Sequence, residues 1–172
     1  MMNSSPIRVA ALDVYGTLLA FDDDDYSCPP RNRLGKFFDD CEAREIKVVT
    51  SSDGMTGNVK NDLVIAFRIA NDRKITIDGP ERLGIDRFDN FFQLDQGIKD
   101  FSVIIGHYDI LPRELLVIGD NFNKDIWGAL RLGAYAIHCP MYGVDQGKEW
   151  DFGKIDLDNI ERMSQPNLQK PF

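Results

Sequence analysis

The sequence predicts an α/β fold with a mainly parallel sheet, because short apolar runs alternate with helical patterns. Val9–Leu12 is an apolar run of the kind that forms a strand buried on both faces, and Ile46–Val49 is predicted as a second strand. Arg31–Ala43 lies between them and has apolar residues at helical spacing, which completes a strand–helix–strand unit. Another apolar run, Leu115–Ile118, ends in a Gly-Asp pair. Since parallel strands deliver their carboxyl ends to one edge of a sheet, ligands should bind at that edge.

Length and composition predict one domain. The chain has 172 residues, of which 43% are hydrophobic, and this is enough for one sizeable core but not for two ordinary domains. We expect residues 1–163 to form the domain. Residues 164–172 are polar and include two prolines, so we expect them to form a flexible tail.

The charge and the cysteines restrict the partners and the compartment. A net charge of −8 and a pI near 4.7 argue against binding to nucleic acid or to anionic membranes, which are bound through basic surfaces. They do not exclude an anionic substrate that is held through a metal ion. No run of about 18 apolar residues predicts a membrane span. Cys28, Cys41 and Cys139 form no C-x-x-C pair, which is typical of reduced thiols in a cytoplasmic protein.

The first strand is followed by residues that can act on a ligand. Asp13 comes directly after it, Gly16 allows a sharp turn close to a ligand, and Thr17 can supply a hydroxyl. The following loop, Ala20–Pro30, contains the four adjacent acids Asp22–Asp25. It is either a solvated acidic turn or an overhang that attracts a metal ion or a cationic part of a substrate.

The second strand ends in hydroxyl residues. Thr50 and Ser51 precede Gly54 and a helix predicted from Thr56 to Ala70. These hydroxyls either hold an anion at the helix start or merely cap the helix.

Further elements complete a five-stranded sheet. Phe88–Leu94 and Ala134–His138 are predicted as the third and fifth strands, and Ile75–Ile77 as a short β-like segment. A helix is predicted to begin at Lys99, and a lysine in this place is most often solvated. Asp156–Met163 is predicted as a terminal helix.

Two acids after the fourth strand predict a metal site. Asp120 follows the strand directly, and Asp125 lies five positions on, at the start of a helix predicted to run through Leu132. Acids at this spacing straddle a strand-to-helix turn and can face one small cation. Hard oxygen ligands of this kind favour Mg²⁺, which keeps several waters and shares a substrate's phosphate.

Two stretches resemble motifs of the haloacid dehalogenase-like (HAD) hydrolase superfamily. The D-x-Y-G-T-L stretch that begins at Asp13 resembles the first motif. The G-D-x-x-x-x-D stretch that begins at Gly119, followed by Gly128, Ala129 and Gly133, resembles the fourth. The resemblance implies a three-layer α/β/α sandwich with strand order 5-4-1-2-3 and little or no cap domain. It also implies hydrolysis of a phosphate monoester, on a small molecule or a macromolecule, through an aspartyl-phosphate.

The resemblance further implies roles for individual residues. Asp13 would be the nucleophile, Thr50 would match the second motif, and Lys99 would hold the phosphoryl oxygens. Mg²⁺ would be held by Asp13, the Tyr15 carbonyl and Asp120, with Asp125 beside them. Substrate binding is expected from Gly16, Thr17, Ser51 and Asn121.

Tyr15 departs from the pattern of the superfamily's phosphatases. An acid at this position protonates the leaving group and later activates water, and a phenol of pKa about 10 is a poor substitute. We therefore expect slow turnover or a reaction that needs no leaving-group proton. The D-x-Y-G-T form also occurs in the metal-free haloacid dehalogenases, but these have a hydroxyl residue where this chain has Asp120, and they need a helical lid. A non-catalytic fold that only binds metal or phosphate is a third interpretation. An open site without a cap would be covered by a large substrate or by a second subunit.

Overall fold

Five parallel strands form one sheet, and its carboxyl edge positions the candidate site. The computed structural model describes residues 6–73 and 82–164. The strands are β1 (Val9–Leu12), β2 (Lys47–Ser52), β3 (Asn90–Gln93), β4 (Leu115–Gly119) and β5 (Tyr135–His138). Their order in the sheet is β3-β2-β1-β4-β5, with every pairing parallel. Read from the opposite edge, this is the predicted order 5-4-1-2-3, so the predicted α/β architecture is confirmed.

Helices cover both faces of this sheet. They are α1 (Leu34–Ala43), α2 (Thr56–Asp72), α3 (Ser102–Tyr108), α4 (Trp127–Leu130) and α5 (Ile160–Met163). Phe37 of α1 and Phe67 of α2 belong to the core on one face, whereas Ile104 of α3 and Ala129 of α4 belong to the core on the other. All four residues of β1 are buried, and alternate residues enter opposite cores. The result is three layers with β1 at the centre.

Two element boundaries differ from the prediction near the site. Helix α1 begins at Leu34 instead of Arg31, because Arg33 has a left-handed φ of 63° that a helix does not continue through. Strand β2 runs on to Ser52, because residues 49–52 pair with β3. Helix α2 starts at Thr56 without a side-chain cap, so the hydroxyls at positions 50 and 51 do not cap it.

Three predicted helices are shorter in the structure. Helix α3 begins at Ser102, after Lys99 and not at it, because the Asp100 carboxylate accepts a hydrogen bond from the Ser102 amide at 3.0 Å. The helix predicted from Asp125 is instead a π-helical turn, Phe122–Ile126, that precedes α4. The terminal helix is limited to α5.

Some predicted segments lie outside the described residues, namely the β-like Ile75–Ile77 and residues 165–172 of the tail. Ala20–Pro30 contains no helix or strand, as predicted for a loop. Across residues 6–73 and 82–164, no helix is both long enough and apolar enough to cross a membrane.

Candidate active site

Three carboxylates from two separate parts of the sequence meet at the carboxyl edge of the sheet. Asp13 follows β1, and Asp120 follows β4, its neighbour in the sheet. Asp125 lies in the π-helical turn and is fully buried. An oxygen of each carboxylate lies within 4.8 Å of an oxygen of the other two. The strand order reverses here between β1 and β4, which is where open α/β sheets bind ligands.

The ammonium group of Lys99 is buried between two of these carboxylates. Its Nζ lies 3.1 Å from Asp13 Oδ1 and 2.6 Å from Asp125 Oδ1. Burial alone would lower the pKa of Lys99, but the charges of Asp13 and Asp125 outweigh burial and raise the pKa. Lys99 is therefore charged at neutral pH. Gly128 lets α4 approach this residue, since a Cβ there would lie 2.6 Å from the Lys99 carbonyl oxygen.

The carboxylates carry more negative charge than Lys99 neutralises. Burial, followed by interaction with Asp13, raises the pKa of Asp120 to about 7. Burial and then the charge of Asp13 also raise the pKa of Asp125 to about 7, against the opposing effect of Lys99. With all three acids ionised, the cluster has a net negative charge. It is therefore a site that a divalent cation would stabilise.

The turn after β1 supports Asp120. Gly16 has a φ of +86°, and a Cβ at this position would lie 2.6 Å from Asp120 Oδ2. The Thr17 hydroxyl donates a hydrogen bond to Asp120 Oδ1 at 3.1 Å. The turn thus makes contact with both carboxylate oxygens of Asp120.

The hydroxyls of Thr50 and Ser51 are buried and have no hydrogen-bond partner among the described residues. Leaving a buried hydroxyl unpaired costs about 1–3 kcal/mol, which a ligand oxygen would offset. The parallel register sets Thr50 beside Leu12, and continuing it by one residue sets Ser51 beside Asp13. Because successive strand residues face opposite sides of a sheet, we expect Ser51, and not Thr50, to lie on the side of Asp13.

The phenol of Tyr15 is hydrogen-bonded away from the acid cluster. Its hydroxyl donates to one oxygen of Asp62, and the Tyr26 hydroxyl donates to the other at 2.6 Å. Burial, and then the hydrogen bond to Asp62, raise the pKa of Tyr15 above its ordinary value. The phenol is therefore neutral at neutral pH, with its proton directed at Asp62. Asp62 was not predicted from the sequence, because it lies within α2 with no motif around it.

A cavity of about 120 Å³ is lined by the three acids of the cluster and by Lys99. Asp53 and Lys124 also line this cavity and form an ion pair with an N–O distance of 2.9 Å. Sequence analysis missed both residues. The available signal was their position in the sequence, since Asp53 directly follows β2 and Lys124 directly precedes Asp125.

Asn121, which was predicted to bind substrate, lines the same cavity. Its side-chain oxygen accepts a hydrogen bond from the Lys124 amide at 2.9 Å and caps the π-helical turn. Its backbone amide donates a hydrogen bond to Asp125 Oδ2 at 3.3 Å. Asn121 therefore also sets the position of Asp125.

Comparison with known proteins identifies the fold. No family model matches the sequence, and neither does any curated protein. A predicted phosphoglycolate phosphatase from Haemophilus somnus 129pt is 13% identical with a TM-score of 0.55, covering 93% of this chain and 99% of that one. A haloacid dehalogenase-like family hydrolase from Streptococcus pneumoniae is 11% identical with a TM-score of 0.54, covering 84% and 90%. A HAD-superfamily hydrolase from Geobacter sulfurreducens is 11% identical with a TM-score of 0.51, covering 86% and 96%.

These structures show that the chain has the fold of the haloacid dehalogenase-like hydrolases. The fold is the one that the motifs at Asp13 and Gly119 predict. At these identities the likeness establishes the fold, and the activity is argued from the site.

Gly119→Ala should disrupt the site, because a Cβ on Gly119 would clash with the carboxylate of Asp125. We expect a loss of about 1–3 kcal/mol in the free energy of unfolding, measured by urea denaturation. Gly57→Ala is the matched control. A Cβ on Gly57 meets no atom within 4 Å, and the change should stabilise α2 by about 0.5–1 kcal/mol. Equal effects of the two variants would contradict the close approach.

The raised pKa values of Asp120 and Asp125 predict that the metal-free protein loses stability as the pH rises. Both values lie above the ordinary 3.8, so the folded state holds more protons than the unfolded state between those limits. The free energy of unfolding therefore falls from about pH 4 to about pH 7 and then levels off.

Thermal unfolding in EDTA tests this pH dependence. The Tm of the wild type should decrease between about pH 5 and pH 8. Because partial exposure of Asp120 screens its charge, we expect this decrease to be only about 2–4 °C smaller in Asp120→Asn. The exposed Asp95→Asn should follow the wild type. The explanation is wrong if Asp120→Asn keeps the full wild-type decline.

Proposed function

We propose that this chain is a Mg²⁺-dependent phosphohydrolase that acts on a phosphate monoester through an aspartyl-phosphate intermediate. The observation that carries the proposal is the placement of Asp13. Its carboxylate lies at the strand-order switch, 3.1 Å from the Lys99 ammonium and within 4.8 Å of an Asp120 oxygen, beside a solvent-accessible cavity. The HAD-like fold of the chain supports the same class of chemistry.

The donor set fits Mg²⁺. Asp13, Asp120 and the Tyr15 carbonyl would hold the ion, and all three residues line the cavity. Asp125 completes the acid cluster, although its two oxygens already accept hydrogen bonds from Lys99 and the Asn121 amide. Bound Mg²⁺ would supply Lewis-acid stabilisation of the phosphoryl oxygens.

Asp13 is the proposed nucleophile. The Lys99 ammonium contacts Oδ1, and the other carboxylate oxygen would attack phosphorus as the bond to the leaving-group oxygen breaks. Water then displaces Asp13 from phosphorus and releases inorganic phosphate. Lys99 and the Ser51 hydroxyl would bind the phosphoryl oxygens, and the register favours Ser51 over Thr50 for this role.

Tyr15 would not act as the general acid. Its hydroxyl donates a hydrogen bond to Asp62, and its raised pKa makes it a weak acid. The leaving group must then depart largely as an anion, which favours aryl phosphates over alkyl phosphates. The open cavity admits such a group on a small molecule or on a macromolecule.

Asp13→Asn should abolish phosphate release, because a carboxamide does not attack phosphorus. We expect a loss of about 10³-fold or more in kcat on a panel of aryl and acyl phosphates with Mg²⁺, and a comparable loss for the wild type in EDTA. Asp95→Asn is the matched surface control and should keep wild-type activity. Activity that survives in Asp13→Asn would rule out the proposed nucleophile.

The same preparations separate the alternatives. Chloride release from 2-chloropropionate in EDTA would identify a haloacid dehalogenase. Mg²⁺ binding without turnover, and without a beryllium fluoride adduct on Asp13, would identify a non-catalytic fold.

Tyr15→Asp should restore leaving-group protonation and raise kcat on an alkyl phosphate by about 10²-fold or more. The gain on an activated aryl phosphate should be smaller, because that leaving group needs the proton less. Tyr26→Phe is the control, since it removes the second hydrogen bond to Asp62 without altering a residue that lines the catalytic cavity. An unchanged alkyl-to-aryl rate ratio in Tyr15→Asp would refute this role for position 15.

A further inference from the structure

A buried arginine lies behind the turn that follows β1. The Arg31 side chain belongs to a residue that is only 2% exposed, and it forms no ion pair within the part of the chain that the structure describes. Its guanidinium faces the rings of Trp150 and Tyr142, at 4.8 and 5.3 Å from the ring centroids. Its hydrogen-bond acceptors are the carbonyl oxygens of Gly16 (3.3 Å), Thr17 (3.5 Å), Gly147 (2.8 Å) and Trp150 (3.3 Å), and the Cys139 Sγ (3.5 Å).

Burying a guanidinium without a carboxylate partner is costly. Burial lowers the pKa of Arg31, and the charges of neighbouring groups, Asp120 and Glu149 among them, offset this effect only in part. An apolar side chain of similar volume would pack at this place without desolvating a charge. Only the planar fork of an arginine reaches several carbonyls on different segments at once. The bonds that Arg31 makes therefore point to a positional requirement at one of those segments.

The Gly16–Thr17 turn is the segment that leads to the acid cluster. The Gly16 carbonyl accepts from Arg31 Nη1 and also from the Tyr142 amide at 2.7 Å, which fixes the orientation of that peptide. The next residue places its hydroxyl 3.1 Å from Asp120 Oδ1. Two short steps thus connect Arg31 to Asp120, first through the backbone of the turn and then through the Thr17 side chain.

We propose that Arg31 is a positioning residue for the metal site. It holds the Gly16–Thr17 turn so that the Thr17 hydroxyl fixes Asp120 in the orientation that binds Mg²⁺. Arg31 touches no reacting atom. The part of the inference that concerns Mg²⁺ binding rests on the proposed function. Through its hydrogen bonds, Arg31 also connects the segment around Gly147 and Trp150 to the site, although neither of these residues lines the cavity.

Arg31→Lys tests the proposal, because lysine keeps the charge but cannot reach the same carbonyls from one ammonium group. We expect faster amide hydrogen exchange at residues 16–19 in the metal-free protein, with β1 and β4 amides changed only by the global loss of stability. We also expect Mg²⁺ affinity, measured by calorimetry, to fall about 10–100-fold. Arg44→Lys is the matched control, since Arg44 pairs with Asp158 on the surface, and it should leave both measurements unchanged.

A core variant separates positioning from general destabilisation. Phe67→Leu, which alters the packing of α2 against Phe88, should lower stability without weakening Mg²⁺ binding by the folded protein. If Arg31→Lys fails to fold, Thr17→Val takes its place. It should weaken Mg²⁺ binding while exchange in the turn stays near the wild-type rate. Wild-type Mg²⁺ affinity in Thr17→Val would overturn the route from Arg31 to Asp120.

The outcomes distinguish this inference from the proposed function. If the wild type neither binds Mg²⁺ nor releases phosphate, the proposed function fails, and exchange at residues 16–19 alone decides whether Arg31 holds the turn. If the wild type binds Mg²⁺ and Arg31→Lys matches it in both affinity and exchange, the positioning role is wrong. Equal losses of affinity in Arg31→Lys and Phe67→Leu would also overturn it.

Discussion

The burial of one ammonium group among three carboxylates is the constraint on which the rest of the site depends. Lys99 is 2% exposed, and its contacts with Asp13 and Asp125 offset the large cost of removing these charges from water. The surrounding backbone is built to permit this burial. The Lys99 amide donates to the Lys124 carbonyl at 3.1 Å, and a glycine at position 128 leaves room for the Lys99 backbone. The loop before α3, the π-helical turn and α4 therefore act as one unit that holds Lys99.

The three acids differ in burial and in hydrogen-bond partners. Asp125 is fully buried, and its oxygens accept hydrogen bonds from Lys99 and from a backbone amide. Asp120 is partly exposed and accepts a hydrogen bond from the turn after β1. Asp13 lies between the two and contacts Lys99 with one oxygen. The chemistry that such a cluster supports is nucleophilic attack beside a cation. Tyr15 is separate from this cluster, because its hydroxyl donates a hydrogen bond to Asp62 of α2.

Much of the fold could be predicted from local sequence. Apolar runs identify every strand, and an acid after the first and fourth strands identifies the edge where the site lies, because parallel strands share that edge. The helix boundaries could not be predicted, since they depend on single contacts such as the left-handed backbone at Arg33 and the carboxylate at Asp100. The Asp62 partner of Tyr15 and the Gly147 partner of Arg31 could not be predicted either, because they lie 47 and 116 positions away in the chain.

The register of β2 shows a similar limit of sequence-based prediction for the single residues Thr50 and Ser51. The motif resemblance selects Thr50, whereas the pairing of Leu12 with Thr50, continued by one residue, favours Ser51 as the neighbour of Asp13. A shift of one position on a strand moves a side chain to the opposite face, so a motif defined by order alone leaves this choice open. The two hydroxyls are both buried without a partner, and the geometry of the sheet distinguishes them.

The ion pair between Asp53 and Lys124 has a consequence for entry into the cavity. It joins the loop after β2 to the turn after β4, with an N–O distance of 2.9 Å and both side chains about one-third exposed. Pairs of this kind contribute about 0–1 kcal/mol, so thermal motion breaks and re-forms this one readily. Under the proposed function, an incoming phosphate group would compete with Asp53 for Lys124. The ion pair would open and close reversibly at the cavity. Dissolved salt would weaken this exposed ion pair before it weakens the interactions of the buried charges beneath.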